Sequence, residues 1–108
     1  MAESDLFQRT KAYALRVIRL YVALPKTTES QVLGKQVLRS GTSIGAHYRE
    51  ANRGKSDADF VNKLQTALQE LDETAYWLEL IVESGLFDES RVNPLLEETK
   101  ELNAILQP

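Results

Sequence analysis

Apolar residues recur at steps of three and four along four successive stretches of this 108-residue chain, with short polar breaks between them. That spacing predicts an all-α fold of four amphipathic helices, over residues about 5–23, 29–53, 57–84 and 89–106 of a single domain. Ser4 is placed to cap the first helix, and Pro25 to stop it. Thr28-Glu29-Ser30-Gln31 has the form of a capping box, with Thr28 as the cap and Gln31 reaching back. Gly54 suits a left-handed cap at the end of the second helix, and Ser56 opens the third with acidic residues in its first turn. So short a connection forces helices two and three to be antiparallel neighbours. Gly85 followed by Leu86 closes the third helix. Asp88 opens the fourth, with Pro94 as a local irregularity inside it.

The second helix carries two glycines four residues apart, Gly41 and Gly45. Each costs about 1 kcal/mol relative to alanine in a helix interior, so close approach of another helix is expected there. Leu33, Val37, Ile44, Tyr48 and Ala51 gather on its core face. Lys35, Arg39, Thr42, Ala46, Arg49 and Arg53 gather on the opposite side. Along the first helix, Leu6, Thr10, Tyr13, Ala14, Val17, Tyr21 and Leu24 form the main stripe, while Leu15 and Val22 fall on a second face. The third helix has Phe60, Leu64, Ala67, Leu71, Ala75, Leu78 and Val82 as its seam, with Tyr76, Trp77, Leu80 and Ile81 on its other faces. Val92, Leu95, Leu96, Thr99, Leu102 and Leu106 line the fourth. A helix apolar all round is buried all round. The expected subunit interface therefore comprises Leu15, Val22, Gly41, Gly45, Tyr76, Trp77, Leu80 and Ile81.

Little in the chain points to catalysis. It has no cysteine and one histidine, which leaves no disulfide, thiol nucleophile or Cys/His metal site to build. His47 follows Ser43 by four residues, but no orienting acid or oxyanion hole accompanies them. Glu50, Glu70 and Glu73 lack the paired Glu-x-x-His segments of a di-iron bundle. Gly41 to Gly45 lacks the Gly-Lys-Ser/Thr ending and preceding strand of a phosphate loop. No enzyme, catalytic residue, metal or cofactor is expected. The longest apolar run, Leu20 to Leu24, is too short to cross a bilayer, and Met1-Ala2-Glu3-Ser4-Asp5 does not have the form of a signal peptide. A cytoplasmic protein is expected, with no membrane partner.

Charge is unevenly spread. The net value is −3, yet residues 1–63 hold 11 Lys/Arg against 6 Asp/Glu, and residues 64–108 hold 2 against 10. Such asymmetry is one mark of a nucleic-acid partner. Lys35, Arg39, Arg49 and Arg53 are the candidate phosphate ligands for RNA or DNA. The alternative is a solvated face, with Asp59, Lys63, Glu70 and Glu73 of the third helix available for ion pairs. An adaptor oligomer with a protein partner and no nucleic-acid role is the second functional reading, from the surplus apolar surface around Trp77.

Several segments carry a family resemblance: Arg9-Thr10, Leu24-Pro25-Lys26, Leu38 through Ala46, Arg49-Glu50-Ala51, Ser56 through Phe60, Lys63-Leu64, Ala67-Leu68, Glu70, Glu73-Thr74, Tyr76-Trp77-Leu78 and Ser84-Gly85. In this order they resemble the small four-helix-bundle proteins encoded in intervening sequences of bacterial 23S rRNA genes, the S23-type family. His47 stands where that family usually has asparagine, and Gly54 where it often has alanine. The resemblance implies an up-down-up-down antiparallel bundle assembled as a homopentamer. The family in turn looks similar to the accessory variability protein of diversity-generating retroelements, a basic pentamer that binds nucleic acid and a reverse transcriptase.

Overall fold

The computed structural model describes residues 2–108, with side chains from Asp5 onward. Four helices follow one another: α1 (Ala2–Ala23), α2 (Thr28–Asn52), α3 (Asp57–Glu83) and α4 (Glu89–Ile105). Each has its close backbone neighbours on two sides, and α4 returns to α1. Across the diagonals α1/α3 and α2/α4 the backbones stay apart, and side chains such as Tyr13 and Thr74 reach toward each other. Neighbours run antiparallel. Thr10 faces Gly45 while Leu24 faces Gly34, and Arg9 near the start of α1 bonds Glu98 and Glu101 near the end of α4. The expected up-down-up-down bundle is the fold. Its long dimension, 44 Å, is set by α3, whose 27 residues span about 40 Å at ~1.5 Å per residue.

One seam runs through all four helices at alternating steps of three and four. Its members are Thr10, Tyr13, Val17, Leu20 and Leu24; Ser30, Gly34, Val37, Gly41, Ile44, Tyr48 and Ala51; Leu64, Ala67, Leu71, Thr74, Leu78 and Ile81; and Val92, Leu95, Thr99, Leu102 and Leu106. Every one is buried. Among the described residues, only Ser40 and Gly45 are buried off this seam. A strict seven-residue repeat is the pattern of helices that wind gently around each other, as bundle helices do. It also corrects the seam expected for α3. Thr74 and Ile81 occupy the inward positions assigned to Ala75 and Val82, which are half-buried. An apolar-only pattern steps over Thr74, whose hydroxyl is buried because it bonds Glu70 O at 2.7 Å and Ser40 Oγ at 2.7 Å.

The glycines of α2 seat α1. A Cβ on Gly41 would stand 2.7 Å from Val17 Cγ2, one on Gly34 2.7 Å from Leu24 Cδ1, and one on Gly45 3.1 Å from Thr10 Oγ1. The close approach expected at Gly41 and Gly45 is therefore made by α1 of the same chain. This corrects their place in a subunit interface, because their exposed edge is already used. Gly34 completes the set and was not singled out by the sequence reading.

The helix ends differ from expectation at two points. Thr27, not Thr28, caps α2, its hydroxyl accepting from Ser30 N at 3.3 Å. Gln31 does not reach back to a cap. It accepts from Tyr21 Oη at 3.0 Å and donates to Pro25 O at 3.0 Å, tying the α1–α2 turn to both helices. Gly54 is not left-handed. It is small because a Cβ there would press on Ala51 O and Asp59 Cβ, each at 3.1 Å. Ser56 caps α3 and Asp88 caps α4 as expected. Gly85 has φ +74°, and the bonds Gly85 N→Val82 O and Leu86 N→Ile81 O complete a Schellman closure. α4 continues through Pro94. The Ser4 cap falls on a side chain outside the described ones, and α1 already includes that position.

Near the middle of each helix lies a buried hydroxyl. Ser40 Oγ meets Thr74 Oγ1 at 2.7 Å across α2 and α3, and Tyr13 Oη meets Thr99 Oγ1 at 2.6 Å across α1 and α4. Tyr13 can donate to Thr99 while Thr99 donates to Leu95 O. In the other pair one hydroxyl donates to its partner, and the partner donates to the carbonyl one turn back in its own helix, Gln36 O for Ser40 or Glu70 O for Thr74. Buried polar groups so satisfied cost little and fix which residues lie opposite each other.

Candidate nucleic-acid interface

The four cations expected to bind phosphate lie on the outer face of α2, and all are exposed. They do not act as one stripe. Arg39, 53 % exposed, is held by α3: its Nη2 bonds Glu73 at 2.6 Å and its Nη1 lies 3.4 Å from Glu70. Glu73, accepting from the guanidinium, raises the Arg39 pKa above its ordinary value, with the charge of Glu70 adding to it. Arg39 is therefore already supplied with anions. Lys35 stands about 21 Å along the helix from Arg49 at ~1.5 Å per residue. Arg49 and Arg53, one turn apart at the end of α2, form no ion pair among the described residues.

These two arginines border a pair of contiguous grooves where α2 meets α1. Phe7, Asn52, Arg53 and Arg49 line the first, of about 350 Å³. Arg49 also lines the second, of about 310 Å³, with Lys11, Thr10, Ala14, Thr42 and Ala46. Lys11 is the cation the sequence reading missed. Its signal was available: Arg9, Lys11, Arg16, Arg19 and Lys26 occupy residues 6–28 without a single acid among them. The grooves thus bring Lys11, Arg49 and Arg53 to their walls, the second groove over small side chains and the first beside Phe7 and Asn52, with no carboxylate in either lining.

The expected α2–α3 ion pairs are made in part. Besides Arg39, Lys63 lies 3.8 Å from Glu50, and His47 lies between Glu50 at 3.2 Å and Glu70 at 3.8 Å. Asp59 instead accepts from Lys55 N at 3.3 Å. Ser43 Oγ donates to Ser40 O, so it is turned to its own helix and away from His47. Among the described residues no three His, Asp or Glu side chains gather as a metal site, and no helix is long and apolar enough to cross a membrane.

The residues expected at a subunit interface separate into two patches and a buried remainder. Leu15 and Val22 are 46 % and 66 % exposed on the outward side of α1, with Ile18 at 41 % between them. Tyr76, 54 % exposed, and half-buried Leu80 face outward from α3. Ile81 is fully buried, which corrects its assignment to an interface: it is a seam residue of its own bundle. Trp77 is half-buried against the same core, tilted on Tyr76 with ring centroids 5.2 Å apart, and its Nε1 is buried without a partner among the described residues. Because α1 and α3 are diagonal, the two patches occupy opposite corners of the bundle.

A family model described as 23S rRNA-intervening sequence protein matches residues 2–108. The chain is also similar to the crystal structure of a protein of unknown function from the S23 ribosomal protein family of Bacteroides thetaiotaomicron. The identity is 39 % and the TM-score 0.91, over 98 % of this chain and 95 % of that one. No curated protein matches.

Proposed function

The chain belongs to the 23S rRNA-intervening sequence protein family, and from that premise we propose that it is a non-enzymatic, cytoplasmic protein that self-assembles and binds RNA or DNA. The observation that carries this is the α1–α2 groove pair, where Lys11, Arg49 and Arg53 converge without a carboxylate partner. Phosphate is the ligand chemistry that exposed, unpaired arginines serve best. Assembly would repeat the grooves around an axis and sum their fields. Apolar patches at opposite corners suit head-to-tail contact, in which one surface meets a different surface of the next copy. Such contact forms a ring where the rotation between copies closes, and the resemblance to pentameric bundles suggests five copies.

Binding of a fluorescent single-stranded RNA, followed by anisotropy across a salt series, tests the nucleic-acid half. Affinity is expected to fall with log salt at a slope of about −0.7 per neutralised phosphate. Arg49→Glu with Arg53→Glu is expected to abolish it, while Arg39→Gln leaves it little changed. A flat salt response, or full binding by the double variant, overturns the proposal.

A protein-binding adaptor is the second reading. It is favoured by the Tyr76–Leu80 patch, whose aromatic ring is the kind of side chain enriched at interfaces. Recovery of one stoichiometric protein partner before and after nuclease treatment, lost in Tyr76→Lys, distinguishes it.

A further inference from the structure

The seam between α1 and α4 holds a second cationic cleft, on a different side of α1 from the grooves above. Its volume is about 360 Å³, and its walls are Arg16, Arg19, Leu20, Phe87, Arg91 and Leu95. We propose that this cleft binds a phosphate group.

Three observations support the assignment. The first is a local excess of positive charge. Three arginines line one cleft, no acid lines it, and none of the three forms an ion pair among the described residues, although the charge of Glu98, outside the lining, acts on Arg16. Two carboxylates outside the lining have other hydrogen-bond partners. Glu98 is held by two bonds from Arg9, at 2.7 and 2.9 Å, and Asp88 Oδ1 accepts from Ser90 N. Like charges brought together repel, and a multiply charged anion relieves that repulsion. The convergence is unexpected by composition too. Residues 64–108 contain 2 cations against 10 acids, and one of those cations, Arg91, is placed here.

The second observation is orientation. The Arg91 guanidinium lies over the Phe87 ring, 4.6 Å from its centroid. A cation held on an aromatic face keeps its N–H edges directed outward, and the planar fork of arginine matches the oxygens of phosphate. The third is the floor. Leu20 and Leu95 are buried beneath the charges. An apolar floor lowers the local dielectric and strengthens attraction between the arginines and an entering anion. The phosphate could be carried by a small molecule or by a nucleic-acid strand, and the two sources are separable.

The test is NMR titration of the arginine Nε–Hε resonances in the full chain, with inorganic phosphate as probe and sodium chloride at matched ionic strength as control. Saturable shifts at Arg16, Arg19 and Arg91 are expected with phosphate only. Arg19→Gln with Arg91→Gln is expected to weaken binding by at least about ten-fold, with an unchanged melting temperature. Arg49→Gln is expected to leave it intact, which separates this cleft from the α2 grooves. Adenosine monophosphate binding more tightly than inorganic phosphate assigns a nucleotide-sized ligand. A 5′-phosphorylated RNA that outcompetes both assigns a strand. Shifts that fail to saturate, that chloride reproduces, or that survive in the double variant overturn the site.

Discussion

Two residues at the α1–α4 seam tie stability to pH from opposite ends. Glu98 accepts from Arg9, and that hydrogen bond, reinforced by charge, holds its pKa below the ordinary carboxylate value despite partial burial. A depressed carboxylate stabilises the folded state above its unfolded pKa, about 4.3, and that contribution is lost as pH falls through the folded value. Tyr13 works at the other edge. Burial pushes its phenol up to about 12, against the opposing effect of its bond to Thr99. The folded state therefore favours the neutral phenol, and stability declines as pH rises above the unfolded value, about 10. Thermal melts across pH are expected to show both losses. Glu98→Gln should flatten the acid limb and Tyr13→Phe the alkaline one. A parent-like limb in either variant would mean that other groups control it.

At the scale of elements, α2 is the helix against which α1 is seated, and Gly41 shares the tightest approach with Gly34. Alanine at a helix interior is ordinarily better than glycine by about 1 kcal/mol. Here the added Cβ would stand 2.7 Å from a branched, fully buried Val17. Overpacking of this kind costs about 1–3 kcal/mol, so the contact outweighs the propensity. Gly41→Ala is expected to lower the denaturation midpoint, and Val17→Ala in the same chain to recover part of the loss. A more stable Gly41→Ala protein would contradict the seating. The elements themselves were legible in the sequence because Pro25, Ser56, Gly85 and Asp88 punctuate them with specific backbone chemistry. The seam was less so. Thr10 and Thr99 were placed on it by position alone, but Ser30, Gly34, Gly41 and Thr74 occupy inward positions without being large or apolar, and a hydrophobic pattern passes over them. The cationic grooves were half legible. Position on α2 located Arg49 and Arg53, but only packing reveals that Lys11 of α1 joins them while Glu70 and Glu73 of α3 claim Arg39.

For the molecule as a whole, the opposite-corner patches on α1 and α3 make assembly a geometric question. Surfaces on diagonal helices cannot both serve one two-fold contact centred on either, so closed dimers are not the expected product. Light scattering is expected to give a mass several times that of the 12.2 kDa chain. Ile18→Lys should return it to the monomer without unfolding, since Ile18 is solvent-facing in the single bundle. A monomeric parent protein would remove assembly from the proposed function while leaving the cationic grooves standing.

The hydroxyl pairs Ser40–Thr74 and Tyr13–Thr99 bear on how finely the bundle is indexed. Four greasy side chains at those heights would adhere more strongly, yet any helix could then creep by a turn and find equally good company. With hydroxyls, such creep strands an oxygen in oil. The protein thereby trades some cohesion for a single allowed alignment, and whatever its outer cations grip is presented at one spacing.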